Sequence, residues 1–456
     1  MRVLHGFSSV FDDPNLVSCA GLAPVLALAE RAGLHRLVAE HVKIHTSGGV
    51  NAQLKIPGLV AGMVAGADSI DDMDLLRHGG MDRLFGGVRA PSTLGTFLRA
   101  FTFGHVRQLD AVAARLLAGL ARQAPLLAGA NAIAYLDIGD TVKATYGQAK
   151  QGAGYGYCGV KGLNALIATV CTPLSAPVIV ATRLRRGATN SARGAARLVA
   201  DAIVTARAAG ARGLVILRAD SAFYSHDVIN VARRRKVFFS VTARHDPAVL
   251  KAIAAIGDDA WTPIRYPQAI FDEAEGRWVS DAEVAETGYT AFTSRRTADH
   301  IHARLIVRRV RRLGPRATSQ GELFAAYRHH AVFTDSPLSM LDAEADHRRH
   351  AVIEPVHADL RAGALAHLPS GSFNANAAWL VLAAIAFNLT RAAGTLASTF
   401  HAKATTATIR AQLITVPARL AHSARRLVLH LPRDWPWELD WQQLHAAVTQ
   451  VPPPAA

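Results

Sequence analysis

The chain has 456 residues, half of them apolar and 19% charged, which excludes a disordered or low-complexity polypeptide and leaves room for two or three domains with a continuous core. Lysine and arginine number 50 against 35 aspartate and glutamate, a formal charge of +15 that points to a polyanionic partner, most simply nucleic acid. Cys19, Cys158 and Cys171 stand far apart with no CxxC pair, which excludes a zinc knuckle or a disulfide framework and fits a reducing compartment, so a cytoplasmic location is expected.

Met1, Arg2, Val3 and Leu4 are soon followed by Asp12 and Asp13, without the long apolar region of a signal peptide. Residues 1–125 read as a helical N-terminal DNA-binding domain. LAPVLALAERAGLHRLVAEHV (22–42) has apolar residues at helical spacing. Ser69 followed by Asp72 forms a capping-box pattern, and Gly79-Gly80 ends that helix. APSTLGTFLRAFTFGHVRQLDAVAARLLAGLARQ (90–123) opens on Pro91 and Ser92. This succession of short helix, turn and helix, with Arg99 and Arg107 in the last segment, matches a DNA-reading unit, a plain bundle being the alternative.

From 126 to 249 the pattern changes. Strands are expected at 132–138, 163–171 and 177–183, a helix at 191–210, a strand at 213–220, a helix at 225–236 and a strand at 237–244. That describes an α/β unit, a mixed sheet with flanking helices. Residues 250–335 are strand-rich and basic and read as an insertion into it. Helices return over 336–400, and 401–456 reads as a helical region ending in the tail VPPPAA. The longest apolar stretch, AAWLVLAAIAF (377–387), is short for a bilayer span and reads as a buried helix; no membrane partner is expected.

Two of the expected strands end on acids, AIAYLD at Asp137 and GLVILRAD at Asp220. An unpaired carboxylate at a buried strand end is costly. If these strands are neighbours, both acids meet at one edge, and a third acid from a later helix completes an oxygen-rich cluster suited to Mg²⁺ or Mn²⁺. Two such ions clamp the attacking and leaving oxygens of a phosphodiester. Asp140 competes with Asp137 but lies past the apolar run and reads as a turn residue. For the third acid, Glu354 sits among Val352, Ile353 and Val356. Asp342, Glu344 and Asp346 read as a solvated face, and Asp359 points away from Glu354 on a helix. Pro355 disfavours helical geometry at Glu354, so the helix is expected to kink or start there.

The wording LDIGDT…GYGYCGVKGLNALIA…ILRADSAFYS…HRRHAVIEPVHADL…FNANAAWL, with GADSIDDMDLLRHGG and APSTLGTFLRAF nearer the start, resembles the DDE transposases of bacterial insertion sequences along nearly the whole chain. The resemblance implies an RNase H-like core interrupted by a β-rich insertion between the second Asp and the Glu. Asp137, Asp220 and Glu354 would be catalytic residues and ligands of two Mg²⁺ (or Mn²⁺) ions. It implies binding of double-stranded DNA, both terminal inverted repeats and target, with metal-dependent strand cleavage and strand transfer by a homodimer or larger assembly. Relatives carry Tyr-x2-Arg-x3-Glu-x6-Lys around the Glu; here the same register holds His347, His350, Glu354 and Arg361. Arg361 keeps a phosphate-binding cation, while the two histidines depart from the pattern, with Arg348 and Arg349 nearby as substitutes. Lys161 joins Arg99, Arg107, His347, His350 and Arg361 as a DNA-contacting candidate. The alternatives are a catalytically inactive, domesticated DNA-binding protein derived from a transposase, and a stand-alone RNase H-like nuclease.

GAGYGY (152–157) lacks the strand–helix setting of a dinucleotide site and reads as a loop. HRRH and YRHH lack the partners of a zinc site. ARLIVRRVRRLGPR (303–316) reads either as a DNA-facing strand or as a solvated basic edge. Trp261 and Trp278 read either as base-stacking residues or as core.

Overall fold

The computed structural model describes residues 6, 8–146, 150–265, 271–272, 277–278, 282–311, 327–423 and 426–450. It is a mixed α/β protein: a helical N-terminal region, a large mixed sheet, and further helices that pack on both.

A short strand, β1 (Leu16–Val17), leads into helices α1 (Leu22–Arg31), α2 (Leu34–His41) and α3 (Ala52–Ala65). The apolar run at 22–42 is broken at Gly33, whose φ of 99° needs a residue without Cβ and ends α1. The Ser69–Asp72 pair closes as expected, with the Ser69 hydroxyl donating to Asp72 at 2.8 Å, but it starts a 3-10 turn (Asp71–Leu76). After α4 (Met81–Leu84), the stretch 90–123 divides into α5 (Pro91–Arg99) and α6 (Phe103–Gln123). Thr102 and His105 form a reciprocal cap at the start of α6.

The sheet begins with β2 (Ile133–Ala144), followed by β3 (Gly154–Tyr155), β4 (Lys161–Thr172) and β5 (Ser175–Arg186). Apolar residues run almost without interruption along β4, as a strand covered on both faces requires. Helix α7 (Ala195–Ala208) leads to β6 (Leu214–Ala219), and α8 (His226–Arg234) links β6 to β7 (Phe238–Thr242) as a βαβ crossover. β2 is therefore antiparallel to β4 on one side and parallel to β6 on the other.

Beyond α9 (Pro247–Ala254) come β8 (Thr262–Ile264), the β9 (Phe271–Asp272) and β10 (Arg277–Trp278) pair, β11 (Ala282–Ala291), β12 (Ile301–Arg311) and β13 (Tyr327–Thr334). Of the stretch read as a β-rich insertion, β8, β11, β12 and β13 continue the central sheet, while β9 and β10 form a separate two-stranded pair. β13 pairs β7 antiparallel at Val332↔Thr242 and covers what would be an open edge, giving the order β3-β4-β2-β6-β7-β13-β12-β11-β8 with β5 on β4.

The chain then forms α10 (Met340–Arg348), a 3-10 turn (Arg349–Val352), α11 (Ile353–Arg361) and α12 (Phe373–Ala397). α11 starts at Ile353, so Pro355 falls in its first turn, where its missing N–H is harmless. α13 (Thr406–Ile409), the hairpin β14 (Ala418–Ser423) and β15 (Arg426–His430), and α14 (Glu438–Thr449) complete the described chain. α12 is long and apolar enough to cross a membrane by length and composition, yet 89% of its most apolar window is buried inside the protein. Its neighbours include α3, α5, α6, α14 and β5, and Trp379 is fully enclosed, donating its Nε1–H to the Ala364 carbonyl at 2.6 Å.

α12 also covers an irregular stretch of β5. The β4–β5 register shifts between Ala168↔Ala181 and Thr169↔Ile179. Asn388 supplies both backbone groups of Ile179 with partners, accepting from its N–H at 2.8 Å and donating to its C=O at 2.7 Å. Replacing Asn388 by Leu should therefore cost about 1–3 kcal/mol for each backbone group left bare, read from urea unfolding. A loss under about 0.5 kcal/mol would mean that water reaches this edge of β5 and replaces the amide.

Candidate active site

β2 carries two acids on opposite faces of the sheet. Pairing with β4 runs from Tyr135↔Cys171 through Asp140↔Leu166 to Ala144↔Gly162, whereas pairing with β6 stops at Ile138↔Ala219. Asp137 is thus an interior residue of the strand, and Asp140 belongs to the strand and not to a turn. Three positions apart on a two-residue period, their side chains point opposite ways.

Asp137 is completely buried. Its register partner on β6 is Arg218, whose guanidinium grips both carboxylate oxygens, Nε to Oδ1 and Nη2 to Oδ2, each at 2.8 Å. His350 approaches Oδ1 through Nδ1 at 2.9 Å. Arg218 also donates to the Asp346 carbonyl at 2.6 Å and lies 4.2 Å from the centre of the Tyr135 ring, while the Tyr135 hydroxyl donates to the Asp346 carboxylate. Burial pushes the Asp137 carboxyl up, but the Arg218 charge and the His350 hydrogen bond outweigh it and hold its pKa below the usual value. The adjacent Cys171 thiol is pushed up to about 12, by burial first and by Asp137 second, and stays neutral.

Asp140, on the other face, is held by a second arginine. Arg185 donates to Oδ2 at 2.7 Å, Asn164 at 2.6 Å, and the Ser191 hydroxyl lies 3.1 Å away. Arg185 is itself nearly buried and ties down the carbonyls of Asn190, Ser191 and Arg193, so Asp140 anchors the loop that enters α7.

Asp220 follows β6 directly and accepts the Ala222 N–H at 2.8 Å, turning the chain. Desolvation raises its pKa; the Ala222 N–H and His350 oppose that, and the Asp140 charge adds to it. Glu354, in the first turn of α11, has a side chain 71% exposed, with the His357 Nδ1 3.9 Å away. Tyr157, between β3 and β4, senses these acids together. Its phenol is raised by desolvation first and then by Asp140, Cys158, Asp220 and Glu354. Cations stand close by: Arg361 lowers the pKa of both Lys143 and His357, in each case after burial.

Residues 8–453 match the family model for the transposase DDE domain, group 1. The chain belongs to the DDE transposase family. No curated protein matches it.

The transposase brings the expected site residues together unevenly. Asp140, Asp220 and Glu354 all act on Tyr157 and so mark one mouth, with Arg361 acting on His357 beside Glu354 and His350 acting on Asp220 while bonding buried Asp137. His347 is turned inward, its two ring nitrogens 2.9 Å from the hydroxyls of Ser240 and Thr242 on β7. Lys161 is exposed at the start of β4. Arg99 is exposed on α5 and lines an open cleft of about 640 Å³ together with Tyr146, Lys150 and His367. Arg107 is half-buried and paired, at 2.7 Å from Asp110 and 2.9 Å from Asp201. In the insertion, Arg304, Arg308 and Arg309 bond Glu286, Glu344 and Glu283, and Trp261 is covered by Arg309 at 4.1 Å from its ring centre. The side chain of Trp278 and residues 312–316 lie outside the described residues.

Metal-dependent phosphodiester chemistry needs a set of carboxylate oxygens open to the ions. Asp220 and Glu354 fit that need. Asp137 and Asp140 are each held by an arginine, and among the described residues no three His, Cys, Asp or Glu side chains are grouped so as to hold a metal ion. The residues present therefore do not complete a metal centre in this arrangement.

Arg218→Met should destabilise the protein by about 3–5 kcal/mol, because Asp137 would be left charged and unpaired, and Arg218→Met with Asp137→Leu should recover much of that loss in denaturant unfolding. An additive double mutant would show that the pair is not coupled.

The acid side of stability has a second source. Burial drives the pKa of His347 down to about 3. An unfolded histidine titrates near 6.5, so between those values the unfolded chain binds a proton that the folded chain refuses. Stability from this group is therefore present above about pH 6.5 and is lost as the pH falls toward 3. Asp110 and Asp335, both raised to about 6 by burial, act with the opposite sign, so the readout is the difference between variants. His347→Gln should lose less stability than the unsubstituted protein between pH 7 and pH 4, roughly the window of that proton uptake. Parallel curves would place the acid sensitivity elsewhere.

Proposed function

We propose that this transposase binds double-stranded DNA at the terminal inverted repeats of its element, in the cytoplasm, and holds two ends together as a dimer or larger assembly, with target DNA as the further partner. The sheet β2–β4–β5 with β6 and β7 serves as an RNase H-like core. The observation that carries the reading is the mouth itself: Asp220 and Glu354 both act on Tyr157, and Arg361, further along the helix of Glu354, acts on His357 and on Lys143 of β2. Cations flanking a small acidic cluster suit a phosphodiester better than a free metal ion or a neutral substrate, and the charge of +15 suits a long polyanion.

The family's chemistry is strand cleavage and strand transfer with divalent metal ions, and the mouth is where a DNA end would be presented for it. DNA-end recognition is the part that the residues of this chain support most fully. Cleavage is supported by Asp220 and Glu354 alone. The arginine grip on both β2 acids favours the second reading, a DNA-binding protein derived from a transposase that does not cut.

Binding to a duplex carrying the element's end should weaken linearly in log affinity against log salt. Arg361→Ala and Lys161→Ala should each reduce that slope by about one. Arg107→Ala should instead lower the unfolding midpoint with little change of slope, because its partners are Asp110 and Asp201. A salt-independent affinity would overturn the DNA reading.

A further inference from the structure

We propose that residue 139 is the third ligand position of the metal centre, and that glycine there leaves the chain able to hold DNA ends but not the divalent ions needed to cut them. The proposal rests on the DNA-binding reading above and concerns the same mouth.

β2 and β6 run parallel and in register from Ile133↔Leu214 to Ile138↔Ala219. The next residues along the two chains are Gly139 and Asp220. Strand alternation places residue 139 on the face of Asp137 and opposite to that of Asp140. The surroundings agree: a Cβ at 139 would stand 3.0 Å from His357 Cε1 and 3.2 Å from Ile353 Cδ1, both on α11. These two residues bracket Glu354, whose Oε2 lies 3.9 Å from His357 Nδ1. A side chain at 139 would therefore enter the space between the end of β6, where Asp220 stands, and the helix that carries Glu354. Neither acid of β2 reaches that space freely, since Asp137 lies two residues back in the fork of Arg218 and Asp140 faces Arg185.

A second observation points to the same spot. His357 is only 2% exposed, and its Nε2 is buried without a hydrogen-bond partner among the described residues. Nε2 adjoins Cε1, the atom nearest to where the Cβ of residue 139 would be. Buried polar atoms are ordinarily paired, and an acid at 139 would offer this one an acceptor. With glycine, the ring faces a position that has no side chain. Asp220 and Glu354 then remain as two carboxylates at a site whose ions each need several oxygen ligands.

The test uses the full chain, stripped with EDTA and titrated with Mn²⁺, the free ion being followed by electron paramagnetic resonance. The unsubstituted protein should bind Mn²⁺ at least about tenfold more weakly than Gly139→Asp, the gain being absent in Gly139→Asn and abolished by adding Asp220→Asn. Gly139→Asp should also gain Mn²⁺-dependent nicking of an end duplex. The proposal is overturned if the unsubstituted chain binds Mn²⁺ as tightly as Gly139→Asp, or if it binds tightly and Asp140→Asn abolishes that, which would make Asp140 the third ligand. Because an added Cβ crowds His357, Gly139→Asp is also made with His357→Ala. Should neither fold, the comparison of the unsubstituted chain with Asp220→Asn decides: equal Mn²⁺ binding supports the proposal, and weaker binding in Asp220→Asn overturns it. End-duplex affinity of the unsubstituted protein, measured in EDTA, tests the DNA reading separately.

Discussion

The ion pair between Asp137 and Arg218 sits where the parallel and antiparallel halves of the sheet meet, and both partners are almost fully removed from water. A buried pair of this kind is a poor source of net stability, because desolvation of the charges offsets much of their attraction. It is a strong constraint on register. A slip of β6 by one residue would turn Arg218 to the other face and leave Asp137 buried and charged beside Tyr135 and Cys171 without its cation. The pair therefore fixes which residue of β6 lies beside which residue of β2, and so fixes that Asp220 emerges beside position 139.

The same pair reaches outward. Arg218 holds the Asp346 carbonyl and His350 holds Asp137, so the turn between α10 and α11 is tied to the sheet by charged hydrogen bonds. His347, between Ser240 and Thr242, adds a neutral tie from the same segment to β7. Glu354 follows these anchors by one turn of helix. Its position is set mainly by the contacts of its neighbours, since among the described residues its own carboxylate is paired only with His357, at 3.9 Å.

Much of the fold was legible in the sequence. Strand and helix order from 132 to 244 followed from apolar runs, and of the two outcomes that Pro355 allowed, a kink or a helix start, the structure has the start. Of the expected site, Asp220 and Glu354 both act on Tyr157, whereas Asp137 is buried against Arg218. What escaped was the direction of the side chains on β2. The run AIAYLD stops being apolar at Asp137, which made that residue look like the end of the strand, whereas the strand continues to Ala144 because β4 pairs with it the whole way. Apolar patterning marks where both faces are greasy, not where pairing stops. The arginines carried a signal: Arg218 in ILRAD and Arg185 in RLRR each interrupt a strand whose other residues are largely buried, and a cation in such a place needs an acid across the ladder. Matching each to an acid requires the register, which the sequence does not contain.

Gly139 shows why that register matters beyond the two ion pairs. Ile353 and His357 close on β2 to a distance that an added Cβ would meet at 3.0–3.2 Å. The helix thus lies against the strand more closely than a side chain at 139 would permit without some local adjustment. The residue at 139 and the seat of α11 are one variable, and Glu354 rides on that helix. A larger residue there would have to press His357 and Ile353 outward by a few tenths of an ångström, moving the turn that bears Glu354 while filling the space in front of Asp220. The identity of one small residue on β2 therefore bears on the mouth twice: through the carboxylate it does not supply, and through the position it allows the opposite carboxylate to take.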